Sequence, residues 1–157
     1  MDTASTLIGL GLLALFVLPI LLLIWQQNTN EKNRLKTLKE IGSKNNLDTD
    51  TVEVSATLFL GLDSKSKKLL VIEPNNNMQH RVLDLLEIKN TKVSTLQLAE
   101  NRNYIRRISL DLSGNSQDKK LSEIIFYDED DNENNNASER LIAANRWNQI
   151  ITEKLSA

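Results

Sequence analysis

The sequence predicts an α+β chain: one N-terminal transmembrane helix, then an antiparallel barrel or sheet of about six or seven strands, closed by a C-terminal amphipathic helix. Three observations predict it. Residues Thr3 to Asn30 carry no charge, and Leu7 to Trp25 is almost wholly apolar. From Val52 the apolar residues recur at every second position, in segments separated by turn-forming residues. From Leu141 the period becomes helical, with Leu141, Ala144, Trp147, Ile151 and Leu155 on one face, flanked by Ala143 and Ile150.

The apolar run sets the first element. As a helix, Thr6–Trp25 measures about 30 Å, the hydrocarbon thickness of a bilayer. Each Leu, Ile, Val or Phe in it favours insertion by roughly 0.3–0.6 kcal/mol. Pro19 is tolerated in a membrane helix, and Trp25 falls where an interfacial aromatic belongs. A buried core helix is usually shorter and keeps a polar face. A cleaved signal needs a basic n-region and a small-x-small site, and MDTAST and LLIWQQNTN supply neither. The chain has no cysteine, which excludes a lipoprotein signal.

The flanks give orientation. Only Asp2 precedes the run, whereas residues 28–47 carry five basic side chains (Lys32, Arg34, Lys36, Lys39, Lys44) against Glu31 and Glu40. The positive-inside bias places the N-terminus outside and the rest in the cytoplasm, as a single-pass cell-membrane protein. The expected organisation is a short extracytoplasmic N-terminus (1–5), a transmembrane helix (6–26), a basic juxtamembrane helix or stalk (27–47) and a folded domain (48–157). The bilayer is the first partner this implies. Lys32, Arg34, Lys36 and Lys39 set topology, and they are also candidates to face anionic lipid headgroups, at about 1 kcal/mol per basic residue. The acceptor-like triplet Asn136-Ala137-Ser138 has no glycosylation meaning on the cytoplasmic side.

Within the stalk, Asn30 is a candidate N-cap, Leu35, Leu38 and Ile41 repeat at helical spacing, and Gly42 lies near the stop. Residues 48–157 are mildly acidic with both signs mixed, which argues against nucleic-acid binding by phosphate neutralisation. Val52 to Asp63 alternates throughout and reads as one long strand with one buried face. Asp63–Lys67 is a turn, Lys68–Glu73 the returning strand, and Pro74 with three asparagines ends it. Further strands are expected at His80–Leu85, about Thr91–Leu98, Tyr104–Leu112 and Leu121–Tyr127. Turns lie at Glu100–Asn103 and Ser113–Lys119. Asn136 is placed to cap the last helix, with Glu139 as its capping-box partner.

The motifs LFLGLDSKSKKLLVIE, VLDLLEIK and ISLDL…EIIFYD, followed by ANRWNQIITEKL, resemble small bacterial single-span membrane proteins of uncharacterised function with a pleckstrin-homology-like (PH-like) domain. The likeness covers roughly Ala56–Leu155 and rests on structural rather than catalytic motifs. It implies a barrel of strands plugged by Trp147 on the capping helix. It also implies a domain that binds lipids, peptides or proteins, which is an analogy from fold. The chain departs from phosphoinositide-gripping members in lacking a dense basic cluster in its first hairpin; Lys65, Lys67 and Lys68 read as a solvated turn.

No catalytic set is visible. His80 is the single histidine and follows a polar turn, and neither a phosphate-cradling glycine loop nor a nucleophile elbow is present. The expectation is a protein that is not an enzyme and needs no cofactor. One constellation carries metal chemistry: counted from Asp128, the side chains of Asp128, Asp130, Asn132, Asn136 and Glu139, with the carbonyl of Asn134, match the ligand spacing of a twelve-residue calcium loop. Glu133 stands where that loop needs glycine, and a strand precedes it, so a solvated loop is the plainer reading. The expected function is a membrane-anchored, non-enzymatic binding or scaffold protein presenting its domain to an unidentified protein partner at the cytoplasmic face. The alternatives are an accessory subunit of a larger membrane complex and a lipid-surface sensor.

Overall fold

The computed structural model describes residues 3–98, 104–114, 120–131 and 136–156, with the side chains of 3–11, 22–28 and 120 outside that description. The turn expected at Glu100–Asn103, most of that at Ser113–Lys119, and Asn132 and Asn134 of the calcium-loop pattern lie outside the described residues. The elements are α1 (Thr3–Lys44), β1 (Thr51–Val54), β2 (Phe59–Asp63), β3 (Lys68–Glu73), β4 (Gln79–Asp84), a 3-10 turn (Leu85–Glu87), β5 (Asn90–Gln97), β6 (Ile105–Ser113), β7 (Lys120–Asp128) and α2 (Ala137–Ser156).

The run and the stalk form one helix, so Asn30 lies inside α1 rather than at a cap. Among the described residues no helix is long and apolar enough to cross a membrane. This overturns the span expected at 6–26, and with it the single-pass cell-membrane placement and its N-out orientation. The apolar run is not a separate segment: it continues without a break into the charged residues 31–44 of the same helix, and the part of it with described side chains is Leu12–Leu21. Its side chains are strongly exposed, Leu15 at 67% and Phe16 at 69%.

The barrel is corrected as well. The strands form two antiparallel sheets, β1-β2-β3-β4 and β5-β6-β7, and among the described residues no strand pairing joins them into a closed barrel. The α+β class, with consecutive strands and the helix last, stands. Val52–Asp63 is not one strand but a hairpin. Ser55 turns the chain: its hydroxyl accepts the Leu58 N–H at 3.0 Å and donates to the Leu58 carbonyl at 2.9 Å. Val54 then pairs with Phe59, and the apolar alternation passes through the turn unbroken.

The four-stranded sheet is buried on both faces, not one. Leu60, Leu62, Leu69 and Val71 point into the main core with Ile108, Leu110, Leu112, Ile124, Phe126 and the α2 residues Ala144, Trp147 and Ile151. Phe59, Leu70 and Ile72 point the other way, onto Leu38 and Leu47. Thus the C-terminal half of α1 packs on the outer face of the sheet. Gly61 permits this close approach, since a Cβ there would lie 2.7 Å from Thr49 Cγ2 and 3.2 Å from Leu38 Cδ2. Burial of each such leucine or phenylalanine stabilises by about 1.5–3 kcal/mol before entropy costs.

Turn chemistry fixes the ends. Asp63 accepts the N–H groups of Ser66, Lys65 and Asp48, each at 3.0 Å, tying the β2–β3 turn to the segment after α1. These bonds, from Ser66 first and then Asp48, pull its carboxyl down to about 2. Asn136 Oδ1 accepts the Ser138 N–H at 3.0 Å and caps α2, while its amide reaches Glu139 at 3.4 Å. Trp147 is fully buried in the core.

Candidate functional site

Two open sheets expose four edge strands, and an edge is a template for pairing with another chain. Three of the four are short or obstructed. β1 has only four residues, and its Glu53 is locked to α2. There, Trp147 Nε1 donates to Glu53 Oε2 at 2.7 Å, Arg146 donates to the same oxygen, and Arg140 Nη1 lies 3.7 Å from Oε1. Arg81 bridges β4 and β7: its Nη2 donates to the Glu123 carbonyl at 2.5 Å while Nη1 pairs with Glu73 at 3.2 Å.

β5 is different. It has eight residues, pairs with β6 on one side and, among the described residues, has no strand on the other. At its start, the Thr91 hydroxyl donates to Asn148 Oδ1 at 2.6 Å, which seats α2 alongside the strand. At its end Thr95, Leu96 and Gln97 are exposed, Leu96 at 58%. The chain returns at Tyr104, whose carbonyl accepts the Leu98 N–H at 3.1 Å and whose ring is half exposed. The Tyr104 hydroxyl donates to Glu129 Oε1 at 2.6 Å, and Arg106 Nε lies 3.1 Å from Oε2. That bond raises the phenol above its ordinary value and lowers the Glu129 carboxyl. The result is a braced hairpin end beside an unpaired backbone with two exposed apolar side chains.

Of the calcium-loop pattern, Asn132 and Asn134 lie outside the described residues, and Asp128 and Glu139 have protein partners. Asp128 pairs with Arg107 at 3.4 Å and accepts the Asp130 N–H at 3.2 Å, and Glu139 turns to Asn136. Among the described residues no group of three or more His, Cys, Asp or Glu side chains could hold a metal ion. A cleft of about 300 Å³ does lie beside this loop, lined by Glu73, Asn76, Tyr127, Asp128 and Asp131. Two of its carboxylates are already engaged by Arg81 and Arg107.

The basic stalk residues fall as a stripe. Lys32, Lys36 and Lys39 are exposed on the side of α1 away from Leu38, with Lys36 3.8 Å from Glu40, and Arg34 is half-buried. Their reading as lipid-facing depended on the span that is overturned. His80 is exposed on β4. Glu53 and Arg81 were not singled out by sequence. Their partners lie 93 and 42 residues away, and no local pattern announces such pairs.

Comparison with protein-family models, with curated proteins and with solved structures finds no match.

Proposed function

We propose that this chain is a non-enzymatic binding or scaffold protein, and that its two-sheet domain takes an extended segment of a partner protein at the free edge of β5. The observation that carries the proposal is the state of that edge: eight residues long, with no strand on its outer side and exposed Leu96 at its end. Strand addition draws affinity from main-chain hydrogen bonds and specificity from side-chain contacts beside the edge. Exposed Leu96 and the half-exposed ring of Tyr104 provide the latter. Elsewhere on the sheets Glu53, Glu73, Arg81, Arg107 and Asp128 are engaged in ion pairs that hold the sheets and α2.

Selection from a displayed peptide library tests this. Adjacent N–H groups on a strand face opposite sides, so Ser94→Pro and Thr95→Pro are unequal. One removes a donor to β6 and destabilises the sheet. The other removes a donor to the free edge, leaves the fold intact and abolishes peptide binding. A library yielding no binder tighter than about 1 mM contradicts the proposal.

A second reading, an accessory subunit of a larger assembly, is favoured by the exposed apolar residues of Leu12–Leu21. In that reading the stretch packs against apolar helices of another subunit. Leu15→Lys with Leu18→Lys then releases the chain from its native assembly without changing β5.

A further inference from the structure

At the end of the domain where the β2–β3 turn, the 3-10 turn and the last turn of α2 meet lies a pocket of about 110 Å³. Lys67, Lys89 and Lys154 line it, over a floor of Leu85, Ile88 and Leu155. No carboxylate lines it. None of the three lysines forms an ion pair with another described residue. Lys154 stands in the last turn of α2, where the negative helix end offsets part of its charge. Lys67 and Lys89 have no such compensation.

We infer that this pocket is an anion site for a phosphate-class dianion, either free phosphate or a small phosphomonoester. Three observations select that chemistry. Three lysines and no carboxylate line the pocket, a positive charge greater than one carboxylate neutralises. The donors are ammonium groups, which hold phosphate as point charges and lack the planar fork that matches a carboxylate. The volume is that of about four waters at ~30 Å³ each, enough for one tetrahedral oxyanion and too small for an enclosed sugar or base. Leu85 and Ile88 are almost fully buried, so the floor is dry and screens the charges poorly. Lys67 also holds a left-handed backbone, φ 52°, a conformation that glycine or asparagine adopts with less strain.

The test is an amide chemical-shift titration of the full chain with inorganic phosphate and, separately, with glycerol 3-phosphate. Chloride holds the ionic strength constant, and acetate at matched charge is the control. The expected result is saturable shifts at Lys67, Leu85–Lys89 and Lys154 with phosphate and not with acetate. Each single Lys→Gln weakens binding about fivefold, equivalent to about 1 kcal/mol at 1.4 kcal/mol per tenfold. The triple variant abolishes it while its melting temperature stays near that of the parent. Tighter binding of the ester identifies an organic carrier, and equal or tighter inorganic phosphate identifies the free ion; either supports the site. Equal shifts with acetate, no saturation, or full binding by the triple variant overturns it. Peptide capture at β5 is unaffected by these variants, so the two sites fail independently.

Discussion

Replacing Glu53 probes how the four-stranded sheet is held to α2. The carboxylate is 14% exposed and serves Trp147 Nε1 at 2.7 Å, together with Arg146 and Arg140. In Glu53→Ala the indole N–H of a fully buried tryptophan loses its acceptor, costing about 1–3 kcal/mol. The Arg146 side chain is 60% exposed, so its pair adds only about 0–1 kcal/mol, and the longer Arg140 contact is of the same order. The sum is a loss of about 2–4 kcal/mol, a fall in Tm of roughly 8–20 °C for a domain of this size. Glu53→Gln keeps an oxygen for the indole and loses only the charge, so it costs about 1 kcal/mol. Thermal and urea unfolding followed by tryptophan fluorescence and circular dichroism measure both. Glu53→Ala melting within about 2 °C of the parent, or Glu53→Gln doing equal damage, refutes the view that this carboxylate ties the sheet to the helix.

Gly61→Ala places a methyl 2.7 Å from Thr49 Cγ2 and costs about 1–3 kcal/mol of overpacking; adding Thr49→Ala, which removes that contact, restores most of it in urea unfolding. Asp63 has a folded pKa below its unfolded value, so its stabilisation is complete above about pH 4 and fades as pH falls toward 2. The difference in Tm between the parent and Asp63→Asn therefore shrinks across that window, and a constant difference contradicts the assignment. Arg81→Ala frees the Glu123 carbonyl on the β7 edge, and sedimentation shows increased self-association with concentration.

Some of this molecule is legible in sequence because it is locally periodic. The face Leu141, Ala144, Trp147, Ile151 and Leu155 is the face of α2 that packs on the core, and Asn136 caps the helix as its spacing with Glu139 suggests. β3, β4, β6 and β7 fall within a residue or two of their patterned segments. The hairpin at Ser55 was hidden because apolar alternation runs on in the sequence while the faces swap: Val54 pairs with Phe59, so Val52 and Val54 lie on the α1 side whereas Leu58, Leu60 and Leu62 lie on the core side. The second buried face of β2 was hidden because it depends on α1 folding back, with Gly61 as the only local trace. Leu12–Leu21 marks another limit. Composition reports that such a stretch avoids water, whereas what it lies against depends on its neighbours, and among the described residues no helix is long and apolar enough to cross a membrane. The edge of β5 carries no strong sequence signal, because an edge is defined by which strand is missing beside it.

The central claim is that β5 receives a partner strand. Hydrogen–deuterium exchange of the full chain, with and without a peptide selected on it, tests that claim most directly. The account predicts slowed exchange across Asn90–Gln97 and along the adjoining face of α2, with β1, β4 and β7 unchanged. Protection that appears at those other edges, or a bound peptide that leaves β5 exchange unaltered, contradicts it.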